Sequence, residues 1–160
     1  MALPPLRTIL FCSLIFLIHQ LFRSNNLPFL LTFIWHSFSL KSLLFSPRKY
    51  LKRYTVRNKR DVTHTIAVDV VKRLGGINSS LALLALLALT RFSRDMTAQK
   101  VVLLVFATAN GTQTWLDFKS WKNGRWNFSF LTKSGGGNAT IALVNIVAYV
   151  VSVVKTKSIL

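Results

Sequence analysis

GGINSSLALLALLALTRFSRDMTAQKVVLLVFATANGTQTWLDFKSW, residues 75–121, decides the fold. No charged residue falls in 77–90 or in 101–116, and a short charged turn, Arg91 to Lys100, separates the two runs. With its uncharged or amphipathic flanks counted, each run reaches roughly 18–20 residues. At about 1.5 Å rise per residue that is about 30 Å, the thickness of a bilayer's hydrocarbon core. The stretch predicts a membrane helical hairpin.

Composition sharpens this reading. The 160-residue chain is 51% hydrophobic with a mean hydropathy of +0.42, yet carries 21 Lys+Arg against 4 acidic residues, a net charge of +17. Such an excess alone would point to a nucleic-acid binder, because neutralising phosphates is its usual use. Here the cations lie between long apolar blocks, which is the membrane pattern. Nucleic acid is therefore not the expected partner. A basic RNA-associated organellar protein stays as a second alternative, and it requires the apolar blocks to be a soluble core. The acids are Asp61, Asp69, Asp95 and Asp117, and Cys12 stands alone, so no disulfide framework or thiolate metal cluster is expected.

Outward from the hairpin, the chain divides near residues 55–60. Residues 1–60 hold no acid and no glycine but seven of the twelve phenylalanines. Residues 1–55 read as a hydrophobic basic leader with one or two candidate membrane helices, and 56–160 as a membrane helical module. Ile9–Ile18 follows Arg7 like a signal-peptide core, but no small-x-small cleavage site comes after it, which favours an uncleaved anchor. An organellar presequence and a dispensable tether are the competing readings. A second apolar block, Leu27–Phe45, is interrupted by His36 and Lys41. Paired with Ile9–Phe22, it would put the N-terminus on the basic side.

Residues 46–75 form a basic linker of net charge +7. Within it Val62, Ile66, Val70 and Leu74 recur every four residues, predicting an amphipathic segment over 62–75. That segment would lie on the membrane or pack on the bundle, and Gly75-Gly76 would bend the chain into a span over about 76–93. Asn78, Ser79 and Ser80 suit a helix start, and Ala82, Ala85 and Ala88 would let a neighbouring helix approach. The next span, about 98–118, places Asn110, Gln113, Thr114 and Asp117 at i, i+3, i+4 and i+7, one polar face beside the small pair Ala107 and Gly111. Such a face must look at protein or water. After an aromatic loop over 117–138, Ser134–Gly137 reads as a flexible joint and Asn138 as the cap of a last span, about 139–154, lined by Ala142, Asn145, Tyr149 and Ser152. Placing 46–75 and 117–138 on one side gives it 13 Lys+Arg against 5 for the 91–100 turn and C-terminal tail. The positive-inside rule then turns both long loops to the cytoplasm, matrix or stroma. In that topology none of the sequons at Asn78, Asn110, Asn127 and Asn138 is glycosylated.

No HExxH, CxxC, GxSxG or Walker sequence occurs, and the glycine-rich KSGGGNAT at 133–140 lacks the Walker lysine placement. His19, His36 and His64 are scattered. No catalytic residue, cofactor or metal site is expected. Asn78, Asn110, Gln113, Thr114, Asp117, Asn145 and Tyr149 form a candidate intramembrane polar cluster, acting either as interhelical glue or as a ligand or ion pocket. Lys72 and Arg73 are candidates for contact with an anionic lipid headgroup.

The run Arg73-Leu-Gly-Gly-Ile-Asn78, followed by a Leu/Ala span, a short turn and a polar-faced span ending in Trp115-Leu116-Asp117, resembles small four-helix integral membrane proteins. These include several families of unassigned function and the scaffold protein of ergosterol biosynthesis. The resemblance covers about residues 57–155 and rests on helix layout. It implies an endoplasmic-reticulum or other endomembrane protein that tethers enzymes, an organellar inner membrane being the alternative. The expected fold is an all-α multi-pass transmembrane bundle of about four (three to five) spanning helices. The expected function is a non-enzymatic scaffold or interaction protein. Its partners would be membrane lipids and a protein, or a second copy, meeting small-residue helix faces. The rival is a small-molecule or ion carrier using the Asn110–Asp117 face.

Overall fold

Asn25 takes a left-handed backbone conformation (φ 54°), which asparagine tolerates, and launches helix α1, Asn26–Leu40. The computed structural model describes Thr8, residues 25–56 and residues 65–160. The apolar core Ile9–Ile18, together with His19, Val62 and His64, lies outside the described residues. A π-helical turn, Lys41–Phe45, extends α1, and Pro47 then opens α2, Pro47–Tyr54, at a position where its missing N–H costs nothing. Helix α3 is Thr65–Thr90 and α4 is Met96–Lys122, whose first turn is capped by the Asp95 carboxylate accepting from the Ala98 N–H at 3.0 Å. The one-turn α5, Phe128–Phe130, runs through a second π-helical turn, Leu131–Gly135, into α6, Gly136–Thr156. No strand forms among the described residues; Thr55 and Trp126 make an isolated bridge.

The four long helices pack as two close pairs, α1 on α3 and α4 on α6, with α1 also touching α6. Hydrogen-bonded partners fix their directions. Asn25 meets Gln99 and Ser152, Thr32 meets Asn145, His36 meets Asn78 and Asn110, and Leu44 lies against Gly75. So α1 and α4 run one way, α3 and α6 the other. The two helices of the predicted hairpin, α3 and α4, touch comparatively little. Helices α1 and α2, which precede the compositional break near residues 55–60, pack on the later helices.

Other local expectations also change. Gly75 and Gly76 lie inside a continuous helix and make no bend. A Cβ on Gly75 would stand 3.0 Å from the Leu44 nitrogen, so this glycine serves close packing of α3 on the end of α1. Asn78, Ser79 and Ser80 sit in the middle of α3, and the residues expected as a loose joint, Ser134–Gly137, are helical. The two basic loops meet at one end of the bundle: the Asn127 side chain donates to the Arg53 carbonyl (2.8 Å) and its N–H to the Tyr54 carbonyl (2.8 Å).

Burial is inverted relative to a water-soluble bundle. Leu83, Leu143, Val150 and Val154 face outward at 57%, 63%, 51% and 70% exposure, while Gln99, Asn110, Asn138 and Asn145 are buried. Large apolar residues outside and paired polar residues inside suit a hydrocarbon surround. Among the described residues three helical segments are long and apolar enough to cross a membrane: Asn26–Phe45, Ile66–Thr90 and Phe128–Thr156. Helix α4 is not among them, since Asn110, Gln113 and Asp117 lower its hydropathy. The alanine reading holds inside the core: Ala85 and Ala88 are fully buried with Phe29, Leu103 and Phe106.

Candidate functional site

Helix α1 carries Asn25, Phe29, Thr32 and His36 at i, i+4, i+7 and i+11, one stripe, and all four are buried. Each polar member meets polar groups from other helices. Asn25 Nδ2 donates to Gln99 Oε1 at 3.0 Å and lies 2.9 Å from Ser152 Oγ. Asn145 Nδ2 donates to Thr32 Oγ1 at 2.9 Å. His36 sits between Asn78 Oδ1 (2.7 Å from Nδ1) and Asn110 Nδ2 (3.4 Å from Nε2). These are three rungs of a ladder centred on α1. Each rung removes the cost of an unpaired polar group in an apolar surround. Beside them, Asn110 Oδ1 and Asn145 Oδ1 are buried without a hydrogen-bond donor among the described residues.

Past His36 the ladder opens into a cavity of about 350 Å³ between α1, α2, α3, α4 and the start of α6. Trp35 Nε1 donates to Asn138 Oδ1 at 2.8 Å, and Asn138 Nδ2 donates to Asp117 Oδ2 at 3.1 Å, where the Ser134 hydroxyl also donates at 3.3 Å. Gln113 and Asn78 add their carboxamides to the lining. Part of the lining is aromatic: Trp126 stacks on Phe130 with centroids 4.4 Å apart, and Tyr50 meets both rings edge-on. Burial pushes the Tyr50 phenol well above its ordinary range, opposed by a Ser134 hydrogen bond and reinforced by the Asp117 charge and by Tyr54. It stays a neutral hydroxyl at physiological pH.

The chain matches no known family model, no curated protein and no solved structure. What this site does has to be read from its own geometry.

The residues singled out from sequence divide among several places. Asn78 and Asn110 meet at His36, Asn145 at Thr32, and Gln113 and Asp117 in the cavity. Thr114 folds back on the Asn110 carbonyl at 2.8 Å, and Tyr149 reaches the Ile159 carbonyl at 3.3 Å, away from the rest. Asn138, expected as a cap, instead links Trp35 to Asp117. Lys72 lines a separate groove with Arg48 and Lys49, and Arg73 is exposed outside it. Sequence reasoning missed Trp35, His36, Thr32, Asn25 and Gln99 as site residues. Part of the signal was present: Thr32 and His36, the latter set aside as an interruption of Leu27–Phe45, fall four residues apart on one helical face. Lys100, expected at the end of the charged turn, is 1% exposed and donates to Thr156 Oγ1 and the Ser158 carbonyl, both at 3.1 Å, at the C-terminal end of α6.

Proposed function

We propose that the protein is a multi-pass membrane protein in which α1, α3, α4 and α6 all span, with Asn110 of α4 turned into the bundle and apolar residues such as Val101 and Val105 turned outward, and that it acts as a non-enzymatic scaffold. The observation that carries this reading is the polar ladder. Asn25, Thr32 and His36 use their hydrogen-bonding groups on partners from three other helices, which holds a rigid bundle together. The outward leucine and valine surfaces are left for lipid and partner helices. Arg48, Lys49 and Lys72 around one groove favour an anionic lipid headgroup at the basic end. That end faces the cytoplasm or its organellar equivalent, and the home is the endoplasmic reticulum or another endomembrane.

Alkaline carbonate extraction of a C-terminally tagged chain, followed on a gel, tests the first half. Full-length protein in the pellet supports it, and release to the supernatant overturns it. A pellet band about 5 kDa short, roughly the mass of a 45–55 residue leader, marks a removed presequence and an organellar home.

The cavity favours a second reading, a small-molecule carrier or binder using Gln113 and Asp117. Separate substitutions of Asn110, Gln113 and Asp117 divide the two. A scaffold loses assembly with its partners, whereas a carrier keeps its fold and assembly but loses transport.

A further inference from the structure

We infer that the cavity at the basic end is a binding site for an organic ammonium group, with the best match a zwitterion whose anionic end sits at Lys133. Three independent features converge on this class of ligand. The first is a carboxylate with one oxygen to spare. Both hydrogen bonds that Asp117 receives go to Oδ2, from Ser134 and Asn138; Oδ1 accepts none from the described residues, and no described lysine or arginine pairs with the group. A half-buried carboxylate served only by neutral donors has no cation of the protein's own to neutralise it and is left to pair with a ligand's.

The second feature is the aromatic lining. Tyr50, Trp126 and Phe130 line the same cavity. Ring faces carry negative electrostatic potential, and aromatic walls beside a carboxylate are the environment that recognises quaternary and primary ammonium groups. The third is Lys133, exposed at the mouth of that cavity and not bonded to Asp117. Opposite charges that share one cavity without pairing complement a ligand that is itself zwitterionic. The ammonium enters toward Asp117 and the anion stays outside. Lipid headgroups and free metabolites both offer this chemistry, and the cavity lies at the end of the bundle where headgroups would be found. The site does not rest on the scaffold reading, and either can fail alone.

The test uses full-length protein purified in maltoside, which carries no ammonium. Phosphocholine is titrated against tryptophan fluorescence, Trp35 and Trp126 both lining the cavity. In parallel 3,3-dimethylbutyl phosphate is titrated, which has the same shape with carbon in place of the charged nitrogen. Phosphocholine binding at least about tenfold tighter than the neutral analogue is the expected result. Asp117→Asn, whose amide oxygen can still accept from Ser134 and Asn138, should abolish the preference, and Lys133→Gln should weaken both phosphates alike. The ligand pair reads the charge preference on the unaltered protein, so a misfolded variant leaves the test intact.

A second arm reconstitutes the protein into nanodiscs of equal phosphatidylcholine and phosphatidylglycerol and counts retained lipids by native mass spectrometry. Phosphocholine binding without lipid preference assigns a free ligand, and an Asp117-dependent phosphatidylcholine preference assigns a headgroup. Equal binding of phosphocholine and its neutral analogue, together with no such lipid preference, overturns the proposal.

Discussion

His36 Nδ1 lies 2.7 Å from Asn78 Oδ1, while its Nε2 lies 3.4 Å from Asn110 Nδ2. A carboxamide oxygen can only accept, so Nδ1 carries the hydrogen and Nε2 is left as the acceptor. One neutral imidazole thus ties α1 to both α3 and α4, the two helices that touch each other comparatively little. His36→Leu should remove both ties and leave the Asn78 oxygen without its donor. The expected cost is about 1–3 kcal/mol, read as an earlier midpoint of denaturant unfolding in maltoside micelles. An unchanged midpoint would mean that this rung contributes nothing.

Asn145 and Thr32 form the neighbouring rung, through the 2.9 Å bond between Nδ2 and Oγ1. A double-mutant cycle with Thr32→Val and Asn145→Leu isolates it. The expected coupling is about 0.6 kcal/mol, the usual worth of one interhelical hydrogen bond in a membrane. Additive single mutants would show that the two side chains are independently satisfied.

Glycine substitutions separate close packing from bending. Gly76→Ala meets nothing within 4 Å and should stabilise α3 by roughly 0.5–1 kcal/mol. Gly75→Ala must displace Leu44, whose nitrogen would be 3.0 Å from the new Cβ, and should be destabilising. Gly137→Ala would overlap the Trp35 ring and is expected to be the worst of the three. Adding Trp35→Leu makes room, so the pair Gly137→Ala with Trp35→Leu should recover part of the folded yield measured by size-exclusion chromatography. If Gly75 instead acted as a hinge, the Gly75 and Gly76 variants would behave alike.

Tyr50 predicts an alkaline limit. Its folded-state phenol is held above the ordinary value of about 10 by burial, so the folded protein resists an ionisation that the unfolded chain accepts. Stability should be level below about pH 10 and fall as pH rises beyond it. Thermal unfolding between about pH 8 and 11 checks this. Tyr50→Phe should flatten the alkaline fall, and an equal fall in that variant would assign it to another group.

Much of the bundle was legible because hydropathy is a local property. The uncharged runs at 77–90 and 101–116 became parts of α3 and α4, and the valine-rich stretch after Asn138 became most of α6. The polar face from Asn110 to Asp117 was visible as a spacing too. Its division was not: Asn110 turns to His36 while Asp117 turns to Asn138, and a helical wheel cannot say which neighbour stands beside each turn. The importance of α1 was hidden for the opposite reason. Its polar residues lowered the score of Leu27–Phe45 as a span, although buried polar residues on one face are what an interhelical seam requires.

Helical character, long apolar segments and the gathering of cations in two loops could be read from the sequence alone, since each property depends on residues near one another in the chain. Tertiary packing was needed to show that α3 leaves its hairpin partner for α1, that Gly75 serves contact with Leu44 and not a bend, and that Asp117 shares a cavity with Tyr50, Trp126 and Phe130. Those outcomes depend on which surfaces meet. Partners such as Asn25 and Ser152, 127 residues apart, are chosen by side-chain shape and hydrogen-bond complementarity that no local pattern records.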